Sequence, residues 1–349
     1  ATFKEQFDAR QKDENNQWGD NVTFLSIPTE KINSIHSKPI YLRSMIEWNM
    51  LVVMAKEIKA SHALLMYFDY YQLGIIIGKK APCPISAIYF RPNFSEYDNG
   101  IYPKIKKWMI AQVLKSGQIQ NLFCLVRALI PYLNELKTQT RMVPICDPVK
   151  QFEVSNLEIT EFKNKHKIPA DKKIFLNFGY LDSRKGMEVF IDACATLPKE
   201  ALAKICLLLA GPVPKYYEKI IEAKLAKVPE LEVIRCYGYL PAREVQICFE
   251  LSDLVLILYQ NFLNMSSVLI RAAMAKKPSF STNTGMIGEL VSKSNLGITV
   301  DATSVSAVAG ELINLINDGI SCSDGNLKRI AEENSLTSFL SSNQRPMLW

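Results

Sequence analysis

Two stretches of the chain carry residues suited to holding an anion. One is Gly179-Tyr-Leu-Asp-Ser-Arg-Lys-Gly186, where glycines at both ends allow close backbone approach and Arg184 and Lys185 supply charge. A helix expected to begin near Met187 adds the positive end of its dipole. The other stretch is Asn264-Met-Ser-Ser267. Ser266 and Ser267 are good N-caps for a helix over 268–276, and the free N–H groups opening that helix favour a phosphate. Metal chemistry has little to work with: the three histidines are scattered without acidic neighbours, and the sequence holds neither a C-x-x-C pair nor a D-x-D triplet. No metal site is expected.

Each stretch needs a strand in front of it and a helix behind. Residues 254–259 form a short apolar run that reads as a buried parallel strand, and Pro278 closes the following helix ahead of a second strand over 278–281. A strand over 173–178 leads into the glycine loop. Further strands at 203–209, 232–236 and 296–301 alternate with helices over 158–166, 216–227 and 307–317. Upstream, a polar helix over 1–18 and a strand over 21–27 come first. A helix over 41–59, strands over 63–68, 85–90, 122–126 and 141–146, and helices over 102–116 and 130–136 follow. This alternation argues for an α/β chain of two doubly wound domains facing a cleft, with site-bearing loops after the strands. The domains are placed at 1–149 and 150–325, with a final helix over 330–341 in the terminal segment 326–349.

Asp69 and Arg91 each stand just past an expected strand in the first domain, where an α/β protein places site residues. Asp69 is also a natural cap for a helix over 70–79, and Arg91 could equally make a surface ion pair.

With 48% hydrophobic and 22% charged residues, the composition is that of a soluble globular protein, and 349 residues suit two cores better than one. The net charge of +6 is compatible with a negative substrate or an anionic membrane surface. Nucleic acid is not an expected partner, since no dense basic stripe is interleaved with aromatics. The eight cysteines read as free thiols of a reducing compartment, and no apolar run reaches the length of a membrane span, so a cytoplasmic location is expected. The helix over 102–116 sets Ile105, Trp108, Met109 and Val113 among lysines. Such a helix either packs on its own sheet or lies against anionic lipid at the inner face of a membrane.

The second anion stretch continues into Arg271-Ala-Ala-Met-Ala-Lys-Lys-Pro278, which resembles the donor-binding helix of GT-B glycosyltransferases, above all the retaining family 4. In that family an E-x7-E block precedes a helix reading roughly EAMA-x-G-x-P. The two glutamates fall here on Leu263 and Arg271, and the helix glycine falls on Lys276. Residues 179–186 likewise resemble the family's G-R-L…R-K-G loop, with Tyr180 in place of its arginine. The resemblance implies two Rossmann-like domains, with the acceptor bound by the first and a UDP-sugar by the second. It also implies that the last helix crosses back to the first domain. The strand and glycine loop with which such an acceptor domain normally begins are not found, so they are expected upstream of this chain or trimmed.

Arg184 and Lys185 would then neutralise the diphosphate leaving group. Gly179, Tyr180, Gly186, Asn264, Met265, Ser266, Ser267 and Arg271 would surround the donor, with Gly238 and Tyr239 near the base. The acceptor, a glycan or lipid-linked saccharide, would meet Asp69 and Arg91. No cofactor is implied beyond the UDP-sugar substrate. A UDP-sugar 2-epimerase and a non-catalytic sugar-nucleotide binder are the alternatives on the same fold; the epimerase needs an acid–base carboxylate pair that the sequence does not show.

Overall fold

The computed structural model describes Leu25 and residues 27–90, 101–126 and 129–343. The helix expected over 1–18, most of the strand expected over 21–27, and Arg91 lie outside these residues. The chain divides into two compact units, one holding the described residues up to Ile145 together with Asn343 and the other Cys146–Ser342. Each is built on a parallel β-sheet in the Rossmann manner.

In the first unit, strands β1 (Ala63–Leu65), β2 (Ile85–Tyr89), β3 (Ile119–Cys124) and β4 (Arg141–Pro144) pair in that order, all parallel. β3 begins three residues before the expected strand. Gln120 and Asn121 hide its start in the sequence, yet Asn121 is buried and donates from Nδ2 to Ser86 Oγ at 3.0 Å on the neighbouring strand. β1 is shorter than expected because the helix Phe68–Ile77 starts early, drawn in by Phe68, which is wholly buried. The helix Ile101–Lys115 corrects the expected apolar face. It buries Ile110, Val113 and Leu114, whereas Ile105 is 50% and Trp108 57% exposed.

In the second unit, strands β5 (Lys173–Phe178), β6 (Ile205–Gly211), β7 (Glu232–Tyr237), β8 (Leu254–Ile257), β9 (Ser279–Thr282) and β10 (Gly297–Val300) form one parallel sheet. Its order is β10-β9-β8-β5-β6-β7. The chain therefore winds outward from β5 in one direction, returns, and winds outward from β8 in the other. The reversal between β5 and β8 is the topological switch point, where loops on the two sides diverge and a ligand can enter.

Successive strand residues feed opposite faces of this sheet. Leu176, Leu208 and Ile257 join one apolar cluster, while Phe175, Leu207 and Leu256 join the other. Burial on both faces explains why these strands read as unbroken apolar runs. Helices Ala242–Leu251 and Ser267–Met274 cover the first face; Met187–Cys194, Lys215–Leu225 and Val305–Asp318 cover the second. The single helix expected over 330–341 is two, Asp324–Glu333 and Leu336–Asn343. Asn334 ends the first by donating from its side-chain amide to Ile330 O at 2.8 Å. Among the described residues no helix is long and apolar enough to cross a membrane.

Candidate functional site

The two anion stretches follow β5 and β8, the neighbours at the switch point, so the fold brings their loops together. Gln260 N donates to Arg184 O at 2.8 Å and ties one loop to the other. Two glycines make the fit possible. Gly186 has φ 71°, and a Cβ there would run into the carbonyl oxygen of Leu258. Gly179 has φ 113°, and a Cβ there would stand 2.9 Å from Lys185 Nζ.

Lys185 is only 4% exposed, and a buried ammonium must find partners. Its Nζ donates to Phe178 O at 2.9 Å and to the Tyr259 hydroxyl at 2.6 Å, and lies 4.4 Å from the centre of the Tyr259 ring. The Tyr259 hydroxyl is in turn 3.1 Å from Ser266 Oγ. Ser266 caps the helix Ser267–Met274, its Oγ accepting from Val268 N at 3.3 Å. Arg184 places its guanidinium 5.7 Å from the Tyr259 ring centre and 5.3 Å from that of Phe262, with Nε 3.7 Å from Asp182 Oδ1. Arg184, Lys185 and Ser266 thus meet around one tyrosine. The arrangement combines two cations, a helix N-terminus and a hydroxyl, which together suit a phosphate group.

Other expected residues take varied positions. Tyr180 and Ser267 are exposed beside this cluster in sequence, Met265 is half-buried and Asn264 is buried. Gly238 and Tyr239 follow β7, two strands away from β5, and belong to a separate part of the sheet edge. Gly238 has φ 105° with open space where a Cβ would point, and Tyr239 is 81% exposed. Arg271 is half-buried on the helix Ser267–Met274. Burial lowers its pKa, partly offset by the charge of Asp147; burial likewise raises Asp147, partly offset by Arg271.

Asp69 does not cap its helix. It sits in the first turn of Phe68–Ile77, and its Oδ2 accepts from Phe90 N at 3.1 Å, tying that helix to the end of β2. Burial, followed by the Asp69 carboxylate, pushes the Cys124 thiol up to about 12.

Tyr259 and Gln260 were not among the expected site residues. One signal was present: a lone tyrosine closing an otherwise aliphatic run, whose hydroxyl needs a partner once buried. Gln260 bonds Leu258 O at 3.0 Å and Ala302 O at 2.7 Å, holding the loop after β8 to the end of β10. Among the described residues no group of three or more His, Cys, Asp or Glu side chains could hold a metal ion.

Residues 158–334 match the family described as glycosyl transferases group 1, which spans the whole second sheet. The chain belongs to that family. Solved structures agree on the fold. Anabaena HepE in complex with UDP-glucose superposes with a TM-score of 0.63 at 16% identity, covering 85% of this chain and 80% of that one. Sucrose-phosphate synthase from Thermosynechococcus elongatus gives 0.62 at 15%, covering 94% and 81%. A glycosyltransferase from Rickettsia africae gives 0.63 at 14%, covering 99% and 87%. No curated protein matches the chain in sequence. The fold is GT-B, with two parallel-sheet Rossmann-like halves.

Proposed function

We propose that this chain moves a sugar from a UDP-sugar to a glycan or lipid-linked saccharide with retention, as a divergent relative of retaining family 4. Its role would be in polysaccharide or glycoconjugate synthesis at the cytoplasmic side of a membrane. The observation that carries this reading is the meeting of Lys185, Arg184 and the Ser266 cap at the switch point of the second sheet. UDP is the preferred nucleotide because the fold is shared with HepE bound to UDP and UDP-glucose. Tyr239, exposed after β7, offers a face for the base.

In the reaction the bond from the anomeric carbon to the diphosphate oxygen breaks, and negative charge grows on the leaving group. Lys185, Arg184 and the N–H groups opening the helix Ser267–Met274 stabilise that charge without reorganising. The acceptor hydroxyl attacks from the same face and passes its proton to the departing phosphate. The protein groups supply the counter-charge, so no metal or cofactor is called for.

A lipid-linked acceptor is favoured by the helix Ile101–Lys115. Ile101, Ile105 and Trp108 are 81%, 50% and 57% exposed at i, i+4, i+7 spacing, and the helix contains four lysines and no acidic residue.

A second reading, a sugar-nucleotide binder without turnover, is favoured by the two places where the resembling family has glutamates. Leu263 is 46% exposed there and accepts nothing from a sugar, and Arg271 can only donate.

One sample decides between them. Calorimetry with UDP, GDP and ADP, then sugar release and transfer from the matching nucleotide sugar, should give UDP binding and transfer. Binding with neither release nor transfer selects the second reading. No nucleotide binding at all refutes both.

A further inference from the structure

Tyr259 stands between the cation and the helix cap, and the proton count around it is fixed. A phenol has one proton to give and lone pairs to accept with. Lys185 Nζ can only donate, so the oxygen of Tyr259 accepts from it at 2.6 Å. Tyr259 is 3% exposed, and the group within hydrogen-bond distance for its own proton is Ser266 Oγ, at 3.1 Å. If Ser266 donated to Tyr259 instead, the phenol proton would be buried with no acceptor, which is costly. The satisfied arrangement therefore runs from Lys185 to Tyr259 to Ser266. Ser266 Oγ already accepts from Val268 N at 3.3 Å, so both its acceptor positions are filled. Its single proton is left over.

We infer that Tyr259 is a positioning residue that forces the Ser266 hydroxyl to act as a donor toward a nucleoside diphosphate at the switch point. This rests on the donor-site reading given above. Lys185 is tied at two of its three protons, to Phe178 O and Tyr259, so the relay also orients the third. A serine cap free to rotate would offer an oxygen lone pair to the ligand as readily as a proton, and a phosphate would be repelled by the former. With the relay in place, the site selects an acceptor-only ligand over one that must donate.

The test is a double-mutant cycle on the full chain, with UDP as the probe in calorimetry. Tyr259→Phe keeps the ring and removes the hydroxyl; it should weaken UDP binding about tenfold, the worth of one hydrogen bond to a charged group. Ser266→Ala should do much the same. Because both remove one relay, Tyr259→Phe should cost less than about twofold more when made in the Ser266→Ala chain. In a Ser266→Thr chain, which keeps a hydroxyl, the tenfold penalty should return. If the phenylalanine chain melts below the assay temperature, the serine variants carry the test alone: Ser266→Ala should lose about tenfold and Ser266→Thr should bind UDP as wild type does, and equal binding by all three chains would overturn the donor role. Independent, multiplying losses with normal wild-type binding would overturn the relay and leave the donor site standing. A wild-type chain that fails to bind UDP would overturn the donor site and the relay together.

Discussion

Gly186 lies directly against Leu258: a Cβ on the glycine would overlap the leucine carbonyl oxygen, and its next contact, Gln260 Nε2, would be 2.9 Å away. The turn that carries Lys185 therefore rests on the end of β8 with no room for any side chain. Gly186 also has φ 71°. Gly186→Ala should destabilise the second unit by roughly 2–4 kcal/mol, combining the left-handed penalty with overpacking against backbone. Urea unfolding at neutral pH checks this. A variant as stable as wild type would mean that the two loops do not close on each other as described.

Lys185→Met should keep the fold and lose the ligand. Methionine fills the volume of the buried stem, but it donates nothing to Phe178 O or Tyr259 and brings no charge to a phosphate. UDP affinity should fall by about 10- to 150-fold, corresponding to roughly 1.5–3 kcal/mol for a charged hydrogen bond. Unchanged affinity in calorimetry would take Lys185 out of the donor site.

How much of this was legible beforehand differs between backbone and side chains. β5, β6 and β8 were readable because strands buried on both faces are largely apolar, whereas β9, Ser279-Phe-Ser-Thr282, was placed by Pro278 ahead of it; the serine caps marked the helix starts. β3 was misplaced because Asn121 is polar yet buried, satisfied by Ser86 across the sheet, and single-sequence periodicity sees no partner. The face of Ile101–Lys115 was misread because Ile105 shares an i, i+4, i+8 ladder with the buried Val113, yet Ile105 and Trp108 lie on the exposed side with Ile101. At the site, the types of Arg184, Lys185 and Ser266 were readable and their junction was not. It depends on Tyr259, one residue beyond a turn in which its N–H bonds Ile257 O at 2.9 Å, so the direction of its ring is set by geometry that spacing does not encode.

Removing metal should leave turnover intact. In the proposed reaction the counter-charge for the leaving group comes from Arg184, Lys185 and helix N–H groups, so assays with EDTA should match those without it. A fall to background that Mg²⁺ or Mn²⁺ restores would show that a divalent ion shares this work.

Acid should unfold the second unit partly through Glu158. Its Oε2 accepts from Ser155 N and from Ser155 Oγ, both at 2.8 Å, and its Oε1 accepts from Arg243 Nε at 2.9 Å. The Ser155 backbone first, then its hydroxyl and Arg243, hold the carboxyl down from an ordinary 4.5 to about 2. The folded pKa is depressed, so this contribution is complete above the unfolded value and is lost as pH falls from 4.5 toward 2. Melting curves across that window should fall more steeply for wild type than for Glu158→Gln. Parallel curves would show that the capping box contributes nothing to acid stability.

Arg271 occupies a place where the resembling family carries a glutamate, and the half-buried Asp147 sits within its field. Burial raises the Asp147 pKa even though Arg271 pulls it back, so removing that cation must raise it further. Arg271→Glu goes beyond removal and sets two carboxylates in one partly buried place. At pH 7.5 the variant should lose about 2 kcal/mol, less than the 3–5 kcal/mol of a fully buried broken pair. The sign of the pH response follows from the raised carboxylate. The folded state then binds more protons than the unfolded state, so stability increases as pH falls through the folded pKa. The deficit measured in urea at pH 7.5 should therefore shrink at pH 5.5, and adding Asp147→Asn should recover most of it at pH 7.5. A deficit that is independent of pH and untouched by Asp147→Asn would mean that the two side chains do not interact. The arginine would then owe its place in that helix to the ligand and not to Asp147.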